Sequence, residues 1–190
     1  MISNIFNNNF IRILTFMLIS PGSRYTRNEL KNKTKMNNTP FDNSLNTLLN
    51  IRILKKEKNF IMINFENEEF KNILDNIRME FLKFNLPYEI FNIITEVSNA
   101  LLKEKYIKEI ILFGSYAKLI YSEKSDIDIA IILENIKNEK NSKKWIENKL
   151  KKMERKSGKK IEAHFFNKED LKHKEDPLIK DIIKNGKMVI

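Results

Sequence analysis

Residues 111–133 read ILFGSYAKLIYSEKSDIDIAIIL, and this run holds the residues best able to do chemistry. Asp126 and Asp128 are separated by one Ile, and ten residues lie between Ser115 and Asp126. Side chains of a strand alternate between faces, so on a strand both carboxylates point the same way. Two adjacent carboxylates repel unless a proton or a cation sits between them. They stand at the mouth of a β-branched run, Ile127–Leu133, which reads as a buried strand and is a poor place for paired charges on grounds of stability alone. A hard divalent cation resolves the conflict, and Mg2+ prefers carboxylates together with substrate phosphate oxygens. Gly114, at the end of an apolar strand Ile110–Phe113, lets the backbone come close to a ligand. Ser115 adds a hydroxyl and opens a short helix, Ser115–Leu119, whose exposed N–H groups favour a phosphate. One loop would therefore hold a triphosphate and the facing strand its metal. Two ions about 4 Å apart would activate the attacking oxygen and neutralise the leaving pyrophosphate. Lys118, Ser125 and Lys124 are further candidate contacts to the nucleotide. Tyr116 and Tyr121 flank the loop and either stack on a base or pack.

Each piece is common alone, since Asp-x-Asp also caps turns and helices. The whole order is restrictive: strand, Gly-Ser, ten residues, Ser-Asp-x-Asp, β-branched strand. It resembles the DNA polymerase β-like nucleotidyltransferase superfamily, in particular the minimal nucleotidyltransferases, over residues 88–190. The resemblance implies ATP or another NTP as donor, Mg2+ as cofactor with two ions in the site, and pyrophosphate as product. Members of the minimal group act as antitoxins that adenylylate a tyrosine of a partner toxin, and others modify RNA ends, antibiotics or proteins. It implies Gly114 and Ser115 as nucleotide-binding residues and Asp126 and Asp128 as catalytic metal ligands. The superfamily uses a third acidic residue on a later strand, for which the candidate is Glu162 in KKIEAHFF. As a metal ligand, Glu162 would also serve as general base toward the acceptor hydroxyl; the bland alternative is a strand-edge Glu paired with Lys159 or Lys160. His164 shares its face and reads as a strand histidine or a group supporting the site, and His173 as surface. Where the family pattern runs GSxARG, this chain has Lys118 and Leu119, which keeps the charge and loses the Gly.

The elements that must position these residues follow from periodicity. A charged amphipathic helix, Asn141–Arg155, ends at Ser157-Gly158 and leads to a third strand, Ile161–Phe166. Short helices near Lys168–Lys172 and Pro177–Lys184 and the apolar run Met188–Ile190 close the chain. Upstream, Tyr88–Lys105 and 67–84 read as amphipathic helices, broken at Pro87. The second half is thus an α/β nucleotidyltransferase domain with a small mixed sheet, within an α+β chain.

The first 66 residues have another pattern. A helix over 9–19 stops at Ser20-Pro21-Gly22-Ser23. Thr26 with Glu29 forms a capping box for a helix Arg27–Lys33. A turn at 37–40 precedes a third helix to about Asn50 with Phe41, Leu45, Leu48 and Leu49 inward. Two strand-like runs, Ile53–Lys56 and Phe60–Phe65, meet at a Lys58-Asn59 turn. Three helices and a hairpin resemble a winged helix-turn-helix domain, in which the third helix enters the DNA major groove and the wing touches the backbone. The third helix offers Asp42, Asn43, Ser44, Asn46 and Thr47; Arg27, Lys31, Lys55, Lys56 and Lys58 are among the candidate phosphate contacts. The expected domains are 1–66, a DNA-binding winged helix; 67–87, a linker helix; and 88–190, the nucleotidyltransferase.

Bulk composition agrees with these readings. The net charge is +10; residues 1–65 hold ten Lys or Arg against three Asp or Glu, and the remainder 25 against 22. A basic surface attracts polyanions, although a Lys-rich proteome gives the same balance. The chain has no Cys, which excludes disulfides, thiolate metal sites and Cys nucleophiles, and two His cannot make a His-rich zinc centre. The apolar stretch Ile11–Ile19 is interrupted by Arg12 and is shorter than the roughly 20 residues of a membrane helix. The expectation is a cytoplasmic enzyme without membrane association, with a protein acceptor, with DNA as a partner and, as winged-helix proteins often dimerise, a homodimer. The alternative is a transcription regulator whose nucleotidyltransferase domain senses nucleotide or dimerises.

Overall fold

The computed structural model describes residues 7–102, 104–134 and 139–189. Lys103, in the helix expected over Tyr88–Lys105, and Ile190, the last residue of the apolar C-terminal run, lie outside these. The chain divides into two compact units, Ile2–Lys83 and Phe84–Ile190.

In the first unit, helix α1 (Asn8–Ile19) starts where the Asn7 side chain accepts the N–H groups of Asn9 and Phe10. The Thr26–Glu29 capping box is present and starts α2 (Arg27–Thr34). Helix α3 spans Asn38–Asn50, so three of the four residues read as a turn, 38–40, are its first turn, with Pro40 where a missing N–H costs nothing. Strands β2 (Leu54–Glu57) and β3 (Phe60–Ile63) form the hairpin, with Lys58 in the left-handed region at φ 55°. A two-residue strand, β1 (Tyr25–Thr26), pairs antiparallel with β3 and gives the sheet order β1-β3-β2. Helix α4 (Lys71–Phe84) buries Leu74 and Ile77 in the same core as Ile13, Leu14, Leu30, Phe41, Leu48 and Ile61. The segment expected to link the domains therefore packs into the first core. Ser44, one of the residues expected on the outer face of the third helix, is instead buried between Phe41 and Leu48 on the inward stripe.

In the second unit, α5 (Tyr88–Leu101) buries Ile90, Phe91, Ile94, Val97 and Leu101. Strand β4 (Ile107–Phe113) runs directly into the one-turn helix α6 (Gly114–Lys118), and β5 (Ile127–Leu133) returns antiparallel to β4. Helix α7 (Glu139–Ser157) then crosses to β6 (Ile161–Phe166), which lies parallel to β5. Helix α8 (Pro177–Asn185) precedes β7 (Lys187–Met188), antiparallel to β4. The result is a mixed sheet in the order β6-β5-β4-β7. One face, with Ile111, Phe113, Ala130 and Ile132, is covered by Ile182 and Leu178 of α8. The other presents Leu112, Ile127, Ile129 and Ile131, all fully buried, while α7 packs on β6 and α5. No helix among the described residues is long and apolar enough to cross a membrane.

Two carboxyls of the first unit are held below their ordinary range: Asp42 by the Arg27 guanidinium, and Glu29 by the Thr26 backbone N–H and then its hydroxyl. Their stabilisation is complete above the usual carboxylate values, about pH 4, and is lost as pH falls through the lowered folded values. Acid titration of the stability should therefore show a loss below about pH 4 that Asp42→Asn makes shallower, read by the urea midpoint at pH 2.5 to 5.

Candidate active site

The site is assembled where β4 ends and the parallel strands β5 and β6 begin. Asp126 directly precedes β5, and Asp128 is its second residue. The parallel register pairs Asp128 with Glu162 and Ala130 with His164, so Asp128, Glu162 and His164 occupy one face. The backbone N–H of Ile127 bonds the Lys160 carbonyl at 2.9 Å, which carries the pairing one step further and sets Lys160 beside Asp126. Lys160 Nζ donates to Asp126 Oδ2 at 2.7 Å and to Glu162 Oε2 at 2.9 Å. Of the two readings of Glu162, its pairing with Lys160 is therefore observed; so is its place beside Asp128. His164 Nε2 stands 3.6 Å from Glu162 Oε1, with its ring edge-on to Phe113 at 5.4 Å.

Charge crowding has measurable effects here. Burial, then the Glu162 carboxylate, pushes the Asp128 carboxyl above its ordinary range, with Asp126 adding to this and His164 and Lys160 opposing it. The Lys160 ammonium is held well above the usual lysine range by its hydrogen bonds to Asp126 and Glu162. The oxygen donor set Asp126, Asp128 and Glu162 suits a hard cation. As the side chains stand, however, no three His, Asp or Glu among the described residues are gathered closely enough to hold a metal ion. The ammonium is the cation that the acidic face now holds.

Gly114 faces this group from the end of β4. Its φ is +68°, and a Cβ there would lie 2.1 Å from Asp128 Oδ2. Only Gly permits both the turn and the approach. Ser115 follows at the start of α6, and its carbonyl accepts the N–H of Ile120 at 3.0 Å. Leu119, standing where the family pattern has Gly, ends α6 in the left-handed region at φ 61°. Lys118, expected at the nucleotide, lies 3.2 Å from both carboxylate oxygens of Asp181 on α8. Asp181 is held below its ordinary range by Asn185 first, with Lys118 and the Gly114 N–H contributing. Ser125 Oγ accepts the Ser122 N–H at 2.9 Å and so closes the 122–125 turn ahead of Asp126. Lys124 is exposed beside it, and Lys159 donates to the Glu123 carbonyl. Tyr116 is buried and Tyr121 stacks on it at 4.7 Å, which is the packing reading of that pair. His173 is exposed. Sequence reasoning did not foresee Asp181 as the anchor of Lys118, because the two are 63 residues apart.

In the first unit, Arg27 Nε and Nη2 bond Asp42 at 2.8 and 2.6 Å, so neither charge is offered alone. Lys55 is paired with Glu66 at 2.9 Å. Asn43 and Asn46 are exposed on α3, Lys56 and Lys58 on the hairpin, and Lys31 is half-buried on α2. Arg27, Asp42, Asn46 and Lys56 line a cleft of 490 Å³ between these elements.

Residues 94–189 match the nucleotidyltransferase domain family, spanning the sheet and every residue of the acidic face. The chain belongs to that family. It is also 62% identical over 42 residues to a Methanocaldococcus jannaschii protein that carries the provisional name protein adenylyltransferase, a match covering 20% of this chain and 41% of the relative's length. A chain from the crystal structure of a toxin–antitoxin with AMP-PNP is similar at 19% identity and a TM-score of 0.36, covering 52% of this chain and 71% of that one. By the family match, the second unit holds a nucleotidyltransferase domain.

Two substitutions probe the loop of this nucleotidyltransferase domain. Leu119→Gly should raise Tm by roughly 1–4 °C, since a left-handed non-Gly residue costs on the order of 1 kcal/mol; an unchanged or lower Tm would show that the Leu119 side chain compensates. Gly114→Ala should destabilise by about 2 kcal/mol or more. That cost should shrink by about 1 kcal/mol in an Asp128→Ala background, where the clash is relieved. Strict additivity in urea unfolding would mean that Asp128 is not what the new methyl meets.

Proposed function

We propose that this nucleotidyltransferase moves a nucleoside monophosphate, AMP from ATP, onto a hydroxyl of a protein acceptor, with Mg2+ as cofactor. One observation carries the reading: Asp126, Asp128 and Glu162 share a sheet face, and the second of them is approached by a glycine that tolerates no side chain. Carboxylates gathered this way cost stability and suit a site that takes up positive charge. The provisional name of the M. jannaschii relative supports a protein as acceptor; the resemblance to antitoxin-type enzymes further suggests a partner toxin and its tyrosine.

Asp126, Asp128 and Glu162 would hold Mg2+, which supplies charge neutralisation for the triphosphate and a more acidic acceptor hydroxyl. Gly114 and Ser115, at the start of α6, supply backbone N–H groups and a hydroxyl on the triphosphate side. Ser125 holds the turn that delivers Asp126. Lys118, seated on Asp181, braces α6 against α8 and lies at the far end of the same helix. Glu162 is suited to accept the proton of the attacking hydroxyl, since its carboxylate is on the exposed edge of the face.

A second role rests on a different observation, the cleft beside α3 and the hairpin. The order α1-β1-α2-α3-β2-β3 resembles that of winged helix-turn-helix domains, and we infer that this unit binds DNA. Asn43 and Asn46 would face base edges, and Lys31, Lys56 and Lys58 the phosphates. Arg27 contributes through its bond to Asp42, which removes the repulsion that Asp42 would otherwise exert on phosphate. The regulator reading and the enzyme reading are compatible, and a two-fold operator would call for a homodimer.

Labelled ATP with Mg2+ should yield label on a protein acceptor, and Asp126→Ala with Asp128→Ala should reduce transfer by at least about 10³-fold. Absence of transfer and of nucleotide binding in the wild type, across candidate protein partners, would rule the enzyme reading out. For the first unit, Lys56→Ala/Lys58→Ala should weaken binding to duplex DNA and lower its salt slope by about 1 for each phosphate no longer neutralised. A slope that is unchanged would mean that other side chains neutralise the phosphates.

A further inference from the structure

The acidic face carries one residue that family resemblance does not call for. Lys160 lies two positions before Glu162 and beside Asp126, so it belongs to the same face. Its ammonium lies within hydrogen-bond distance of one oxygen of each, at 2.7 and 2.9 Å. Neighbouring cations are committed elsewhere: Lys118 to Asp181, and Lys159 to the Glu123 carbonyl. Lys160 therefore answers the requirement that repelling carboxylates impose, a positive charge among them. It does so at the cost of holding Asp126 and Glu162 around a nitrogen, and no three acidic or His groups among the described residues converge as a metal requires.

We propose that Lys160 is the resident counterion of this site, occupying the place of the divalent cation and leaving when that cation enters. The inference rests on the reading of Asp126, Asp128 and Glu162 as metal ligands. Its physical basis is competition. An ammonium donates hydrogen bonds to the same carboxylate oxygens that a metal must coordinate, and it repels a second positive charge at close range. The lysine stem is a flexible four-carbon chain, and the Lys160 side chain is 60% exposed, so nothing on its own strand hinders a swing outward. Lys160 is thus a positioning residue with two effects. Without metal it stabilises the acidic face. With metal it raises the concentration needed for occupancy, so that the site fills when a triphosphate brings oxygens and negative charge of its own.

The test uses the full chain and Mn2+ as probe, without nucleotide, followed by electron paramagnetic resonance and by thermal melting. Lys160→Met retains the stem and removes the charge. It should bind Mn2+ about tenfold tighter or more than the wild type, and its metal-free form should melt lower, with the deficit closing as Mn2+ is added. Lys160→Arg, which keeps a cation, should bind Mn2+ like the wild type. Equal or weaker Mn2+ affinity in Lys160→Met would overturn the proposal, as would a metal-free form as stable as the wild type. If Lys160→Met fails to fold, Lys160→Gln carries the same expectations. Asp126→Asn with Asp128→Asn tells failure of the counterion apart from failure of the metal site. Mn2+ binding that survives this pair at wild-type strength refutes the metal-ligand reading itself; binding lost in the pair but not tightened in Lys160→Met refutes the counterion alone.

Discussion

Like charges brought together on a sheet face set the conditions that the rest of this nucleotidyltransferase unit must meet. Carboxylates cannot be crowded in a dry interior without a compensating cation. The unit handles this by grading one face of its sheet. Ile111, Ala130 and Ile132 lie under α8, while Asp126, Asp128 and Glu162 lie where β5 and β6 begin, partly or fully exposed. The opposite face buries Leu112, Ile127, Ile129 and Ile131, so the sheet is anchored by apolar residues from both sides. Gly114 lets the β4–α6 turn press against Asp128, and Asp181 secures the far end of α6 through Lys118. The loop and the carboxylates are thus fixed by separate supports, a glycine contact at one end and an ion pair at the other.

What could be read from the sequence divides by range. The shared face of Asp126 and Asp128 follows from alternation within a single strand, and the capping box at Thr26 from a spacing of three. Glu162 was legible as the acidic residue of the next β-type run. Features that depend on a partner strand or helix were not. Tyr25–Thr26 and Lys187–Met188 are too short to show a period, and each is a strand only because β3 or β4 lies beside it. Lys160 was visible as a neighbour of Glu162, but its reach to Asp126 depends on the parallel register of β5 and β6. Arg27 and Asp42 read separately as a phosphate contact and a residue offered by the third helix; fifteen residues apart, they neutralise one another. Ser44 sits where the helical stripe turns inward, one residue from positions that face out. Leu119 is the instructive middle case, because the pattern GSxARG marks the position as one for Gly and the backbone is indeed left-handed there.

The two units pose different physical problems. The first has one apolar core drawn from α1 to α4 and a positive surface, with Asp42 paired to Arg27, Glu66 to Lys55 and Glu29 to Thr26. The second concentrates acidic groups at one point and sets near them Lys160, Lys118 and Lys159, each with a partner. On the proposed function, a site that collects a triphosphate and a basic unit that binds a polyphosphate backbone would share the same chemistry of phosphate recognition, carried by different groups. Metal ligands and backbone amides would serve in the one; lysine and asparagine side chains would serve in the other.

The register between β5 and β6 has a further consequence. Ile161, Ala163 and Phe165 alternate with Lys160, Glu162 and His164, and Lys143 of α7 lies 5.5 Å over the Phe165 ring. A slip of one residue would turn the three ionisable side chains under α7 and expose the apolar ones. Buried and unpaired, such charges cost several kcal/mol each, far more than the few hydrogen bonds at stake in the choice between registers. The ionisable residues of the face therefore also proofread the alignment of its strands, and a misaligned sheet is rejected by the same electrostatics that holds Lys160 against Asp126 and Glu162 in the aligned one.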